Sequence, residues 1–334
     1  MSRRCNSVEM WSIIVGTSLY VSACGASPPT TTQQLERLNA ALATDTRPAA
    51  AADTCVRVHE VWRDQLRVGL AAAEMPSRKR TEAFLEAIYQ PHEAFWQGYV
   101  GGRRGFIKQV MGRWGDLETD PRASVPLDVD VTALIMQTTD RAAELANRPP
   151  ACTNWYLVYG PGWTNLGGGP MGMLVDFFGL PKGDEANDLR IYMPHEIGHL
   201  IFARAHGSDP DTATLLHRII EEGFVSYFAV QYAAGSLSAA QSLGYTEEEW
   251  AWAKQHEEDL WALAVPQLRS REREVIEPFR SGRERIMPGA PEKIGYFLGY
   301  RLVEEYVARH GAESWRDIFD LPLASVLSET GFGS

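Results

Sequence analysis

From Val56 onward, apolar residues recur at three- and four-residue spacing: Val58, Val61, Trp62, Leu66 and Leu70, then Phe84, Leu85, Ile88 and Tyr89. That period gathers side chains on one face of an α-helix, so 56–147 is predicted as mostly helical. Pro76, Pro91, Gly101-Gly102 and the glycines at 112 and 115 interrupt it, and 132–146 reads as one more helix, ended by Asn147 and Pro149-Pro150. At Trp155-Tyr156-Leu157-Val158-Tyr159 the pattern changes to a run of β-formers that stops at Gly160-Pro161-Gly162, which reads as a strand and a turn. Gly167-Gly168-Gly169-Pro170 reads as a loop, and no Lys-Ser/Thr pair follows to make it a phosphate cradle. Gly172 to Phe178 is predicted as a second strand. Helices are expected at 190–205, 213–234, 247–264 and 293–310. The segment 265–292, rich in Arg and Glu, is expected to be a loop with a solvated helical piece. The fold class is therefore α+β, mainly helical, with a small sheet.

The first residues obey a different rule. Arg3 and Arg4 precede an apolar stretch from Trp11 to Val21, too short to span a bilayer and suited to a signal-peptide core. It ends in Val21-Ser22-Ala23-Cys24, which resembles a bacterial lipobox, with Cys24 as the lipid-bearing residue. Gly25 is not the aspartate that resembles an inner-membrane retention signal, so the expected location is the outer membrane, facing the periplasm or exterior. Ordinary secretion with cleavage near Ala26 is the alternative. Residues 25–54, with Pro28-Pro29-Thr30-Thr31-Thr32, bury too little to offset their ordering entropy and read as a flexible tether. The expected organisation is a leader at 1–24, a tether at 25–54 and a domain at 55–334. With Cys5 in the leader and Cys24 lipidated, Cys55 and Cys152 remain, and in an oxidising compartment they form a possible disulfide.

The formal net charge of −11 excludes a nucleic-acid partner on electrostatic grounds, and no basic stripe offsets it. His195-Glu196-Ile197-Gly198-His199 matches HExxH. On a helix, positions i and i+4 share a face, so both imidazoles can address one Zn2+. Glu196 falls beside that face, placed to act as general base on a metal-activated water. A catalytic zinc requires a third protein ligand, and Glu221-Glu222 lie 22 residues after the motif, where either could reach.

The run from Glu222 through Gly223-Phe224 resembles the gluzincins, zinc peptidases whose third ligand is a glutamate on a second helix. By that resemblance the ligand is Glu222, at the position before Gly-Phe. The thermolysin type carries an Asp four residues later that orients a histidine, whereas Ser226 stands there here. The series HExxH, Glu222-Gly223-Phe224-Val225-Ser226-Tyr227, then Gly295-Tyr296-Phe297-Leu298-Gly299-Tyr300 with Val303 and Tyr306 resembles a bacterial family of predicted zinc-dependent proteases. That family was first described as a domain of unknown function. The series is also distantly similar to gliding-motility lipoproteins, some of which keep the scaffold without the site. The resemblance implies a zincin-like fold with the small sheet beside the HExxH helix, and zinc-dependent hydrolysis of a peptide or protein substrate. It also implies oxyanion donors among Tyr296 and Tyr300, although a Tyr pair one turn apart also suits core packing. The strand 172–178 is expected either as an internal strand or as an exposed edge holding extended substrate. His206, His217, His256 and His310 are expected at surface or structural positions, and Gly295 and Gly299 at a close helix contact. The alternative function is a non-catalytic, zinc-stabilised binding or assembly lipoprotein of the cell envelope, tethered to the membrane by its N-terminal lipid.

Overall fold

The computed structural model describes residues 55–114, 129–169, 171–181, 183–281 and 285–332, so the leader, Cys24 and the tether lie outside the described residues. The chain runs through β1 (Val56–His59), α1 (Val61–Ala72), α2 (Ser77–Phe84), short π and 3-10 turns over 85–92, and α3 (Glu93–Val100). Helical turns over 103–113 and then α4 (Val131–Ala146) follow. Next come β2 (Thr153–Val158), β3 (Leu166–Gly169), β4 (Gly172–Asp176), α5 (Glu185–His206) and α6 (Leu215–Ala233). The last part holds α7 (Ala239–Leu243), α8 (Glu247–Gln255), α9 (Glu257–Ala264), α10 (Arg273–Arg280), α11 (Ile294–His310), a 3-10 turn over Ser314–Phe319 and α12 (Leu323–Thr330). This is an α+β fold, mainly helical, with a four-stranded mixed sheet in the order β1-β2-β4-β3. β1 and β4 flank β2 in parallel, and β3 pairs antiparallel with β4 at the edge.

Two strands depart from the sequence expectation. Val56–His59 was expected within a helical region, but buried Val56 and exposed Arg57 begin a period-two pattern that pairs with β2, Val56 opposite Thr153. That register sets Cys55 beside Cys152, and a disulfide joins them, Cα atoms 4.6 Å apart. The glycines expected to form a loop at 167–169 instead form edge strand β3. A strand of three glycines carries no periodic signal, and its partner Gly172–Asp176 supplies the side chains. In consequence β4 is an internal strand between β2 and β3, and the edges of the sheet are β1 and β3.

Buried polar side chains close the sheet's C-terminal end. Gln65 on α1 donates to the Tyr159 carbonyl and accepts from the Tyr159 amide, both at 2.8 Å. Asp176 accepts from the Tyr99 hydroxyl (2.8 Å) and from the amides of Gly160 (2.9 Å), Gly162 (2.7 Å) and Phe178 (3.1 Å). These bonds satisfy groups whose burial would otherwise be costly.

The helical half is built around α6. Thr214 caps it, its hydroxyl accepting from the His217 amide at 3.2 Å. Between Leu215 and Ala229 every residue but Arg218 is buried. α6 meets α11 where two glycines cross: a Cβ on Gly223 would stand 2.0 Å from the carbonyl carbon of Gly299, and one on Gly299 would stand 1.8 Å from the Ile219 carbonyl oxygen. Only hydrogens fit there. Helix 247–264 is interrupted at His256, giving α8 and α9. The piece within 265–292 is no solvated appendage: α10 buries Phe279 and packs on α6 and α11. Among the described residues, no helix is long and apolar enough to cross a membrane.

Candidate metal centre

Helix α5 carries both histidines of the HExxH run one turn apart, anchored by fully buried Met193, Ile197 and Phe202. α6 packs against α5, with Val225 and Phe228 filling the space beside Gly198. That contact brings Glu222 over the imidazoles. Nε2 of His195 and Nε2 of His199 lie 3.2 Å apart. Oε2 of Glu222 stands 3.2 Å from Nε2 of His199 and 3.7 Å from Nε2 of His195. Around a tetrahedral ion with bonds of about 2.0–2.1 Å, neighbouring donor atoms lie roughly 3.3–3.4 Å apart. The three edges straddle that value, so the donor set fits a zinc-sized ion. Among the described residues this is the group of His, Cys, Asp and Glu able to hold a metal.

Hydrogen bonding behind the donors fixes which atoms face inward. Nδ1 of His199 lies 3.2 Å from Oε1 of Glu221, and a proton held there leaves Nε2 available as a ligand on the inner side. The Arg218 guanidinium donates to Oε2 of Glu221 at 2.7 Å. Nδ1 of His195 faces the Ser226 hydroxyl at 3.5 Å, and that hydroxyl donates to the Glu222 carbonyl at 2.8 Å. The two glutamates left open by the sequence are thus separated by role: Glu222 faces the Nε2 atoms, and Glu221 orients His199 from behind. Ser226, where the thermolysin type has its aspartate, addresses the other histidine.

The local field favours positive charge. Burial alone pushes His199 toward the neutral form, yet Glu222, Glu221 and Glu196 hold its pKa well above the usual histidine range. Burial likewise pushes Glu222 up, but His199 and His195 hold it well below the usual carboxylate range. Oε2 of Glu222 is buried without a hydrogen-bond donor, although two Nε2 atoms lie close, because neither directs an N–H at it. Converging lone pairs around an unpartnered carboxylate oxygen are what a divalent cation satisfies.

Glu196, half-buried on α5, is next to His195 and outside the triad of donors. Tyr296 on α11 stacks parallel to the His195 ring at 6.2 Å, close enough to Glu222 for the carboxylate charge to act on its hydroxyl. Burial first, and then the Glu222 charge, push its pKa up, so it remains a donor. Tyr300, paired with it in the sequence reading, is in the core instead, against Tyr227 (5.5 Å) and Trp250 (5.8 Å). One turn separates the two tyrosines, but the glycine crossing turns the second toward α8. Beside Glu222 and Tyr296 a cleft has a volume of about 10 Å³, room for one water, with Arg280 on its wall.

Residues 189–333 match the model of the gliding motility protein GldB. The match spans less than half of the chain but holds every donor of the centre, beginning inside α5. No curated protein matches the chain, and no solved structure matches it.

The remaining histidines have structural partners. His206, expected just beyond a helix over 190–205, is the buried last residue of α5, its Nε2–H donating to the Ile318 carbonyl at 2.9 Å. The sequence reading placed the helix end one residue too early, and Phe202, one turn back, covers the ring at 4.4 Å. His217 lies 3.6 Å from Glu221. His256 stacks on Trp252 at 4.0 Å, and His310 pairs with Glu329 at 2.9 Å. Sequence reasoning missed Arg280 on the wall of the cleft, since it sat in a charged segment assigned to solvent, and gave no role to Lys293 at the start of an expected helix.

Proposed function

We propose that this chain is a zinc-binding lipoprotein of the cell envelope, with zinc held by His195, His199 and Glu222. The observation that carries the reading is the convergence of three donor atoms at 3.2–3.7 Å, with the two imidazoles held from behind by Glu221 and Ser226. Such an ion would join α5 to α6 at the centre of the helical half. The match to the gliding motility protein GldB supports an envelope role in binding or assembly, and Cys24 supplies the lipid tether. The test is metal analysis of the purified chain: one zinc per chain is expected, and His199→Ala or Glu222→Ala should lose it.

A second reading, peptide hydrolysis, is favoured by one specific observation. Glu196 is adjacent to a donor, half-buried and free of the donor triad, as a general base requires. Zinc supplies Lewis acidity to such a site when bound. The Glu196 carboxylate would accept a proton from the attacking water and pass it to the leaving amine. Tyr296 would donate its hydroxyl proton as a hydrogen bond to developing negative charge. The substrate is then a peptide or protein. Glu196→Gln separates the readings: zinc retained and peptide turnover abolished supports hydrolysis, whereas a parent chain without turnover leaves the binding role.

A further inference from the structure

The donors of the centre draw positive charge inward, yet the cleft beside them has a cationic mouth. Arg280, the last residue of α10, is exposed and lines the same cleft as Glu222 and Tyr296. The Lys293 ammonium sits 5.6 Å over the Tyr296 ring, and its backbone is left-handed (φ 56°), a conformation rarely adopted by residues with a Cβ. Among the described residues neither side chain makes an ion pair with a carboxylate. Arg218, the third cation here, is already engaged by Glu221. Helix α11 starts at Ile294 without a side-chain cap, adding the positive end of its dipole to the same spot. Ile276 and Phe279 give the cleft an apolar wall next to these charges. A chain of net charge −11 repels acids over most of its surface, so a local cationic mouth selects for them.

From this juxtaposition we infer that the centre takes an acidic peptide segment, its carboxylate set outside the cleft between the exposed Arg280 and Lys293 and its apolar stem on the half-buried Ile276. The inference rests on the zinc-site reading, because the cleft beside these cations shares Glu222 with that site. Arg offers a two-pronged contact to a carboxylate, which Lys does not. The carboxylate could belong to an Asp or Glu side chain or to a free C-terminus.

The experiment uses the zinc-loaded full chain carrying Glu196→Gln, so that no probe is cleaved, and measures binding by calorimetry. Three probes are compared: a neutral acetylated tripeptide amide, the same tripeptide with a free C-terminal carboxylate, and an acetylated tripeptide amide with a central Glu. At least one acidic probe should bind about tenfold tighter than the neutral one, and the tighter of the two identifies the source of the carboxylate. Arg280→Ala and Lys293→Ala should each erode that preference, and Arg280→Lys should keep part of it, all with zinc still at one per chain. Equal binding of all three probes, binding of none, or an intact preference in Arg280→Ala overturns the inference. Failure of the zinc reading shows separately, as absence of zinc from the parent; an acidic preference of that zinc-free chain, abolished by Arg280→Ala, would still uphold the cationic mouth.

Discussion

Glu221 and Glu222 are neighbours in sequence with the same side chain, yet their surroundings divide their work. Glu222 faces two imidazole nitrogens, and Glu221 accepts from the back of one of them while Arg218 holds its other oxygen. Such carboxylate partners tune a ligand without touching the ion. Glu221→Gln should therefore weaken zinc binding by about 10–100-fold without abolishing it, as measured by competition with a chromophoric chelator. Glu222→Gln should remove stoichiometric binding. His206 gives a different prediction. Burial lowers its pKa, against the opposing pull of the Ile318 carbonyl and Asp209, so the folded chain holds it neutral while the unfolded chain takes up a proton near pH 6.5. A depressed folded-state pKa contributes stability above about pH 6.5 that is lost as pH falls through the folded value. Thermal melts of the metal-free chain should therefore show a steeper loss between pH 7 and 5 for the parent than for His206→Gln. Identical slopes would show that His206 does not contribute.

At the scale of elements, the centre depends on how closely α6 and α11 approach. Gly299→Ala would force a Cβ into the Ile219 carbonyl, so a loss of about 3 kcal/mol or more is expected in chemical denaturation, with Tyr296 drawn away from Glu222. A neutral outcome would mean that the helices part without cost. That α11 makes close helix contacts, like α5 with its two histidines, was legible from helical period: Gly295 and Gly299, or His195 and His199, fall one turn apart whatever the fold, though Gly299 meets Gly223 of α6 and Gly295 meets Phe279 of α10. The division between Tyr296 and Tyr300 was not legible, because one turn of spacing says that two residues share a face, not which neighbour each meets. β3 escaped because three glycines carry no pattern, and β1 because four residues of alternation are swamped by the helical period that follows. α10 was misjudged through its charges, whose apolar partners Val275, Ile276 and Phe279 are scattered among Arg and Glu.

Across the whole molecule, the disulfide between Cys55 and Cys152 joins residues 97 apart in sequence and ties the start of β1 to the start of β2. Replacing both cysteines by Ala should cost roughly 4 kcal/mol by the chain-entropy account, read as a lower midpoint in urea, while zinc content is unchanged. Loss of zinc in that variant would show that sheet and helical half are coupled more tightly than their separate cores imply. Cys24→Ser should move the chain from the membrane fraction to the soluble fraction after cell breakage, if the lipid is its tether. The central claim is that three side chains from two helices form one ion site, and metal stoichiometry tests it most directly. Elemental analysis of the gently purified, folded chain should give one zinc per molecule, with loss in His195→Ala, His199→Ala and Glu222→Ala. A folded parent that is metal-free, and that fails to take up zinc offered in equimolar amount, would contradict it.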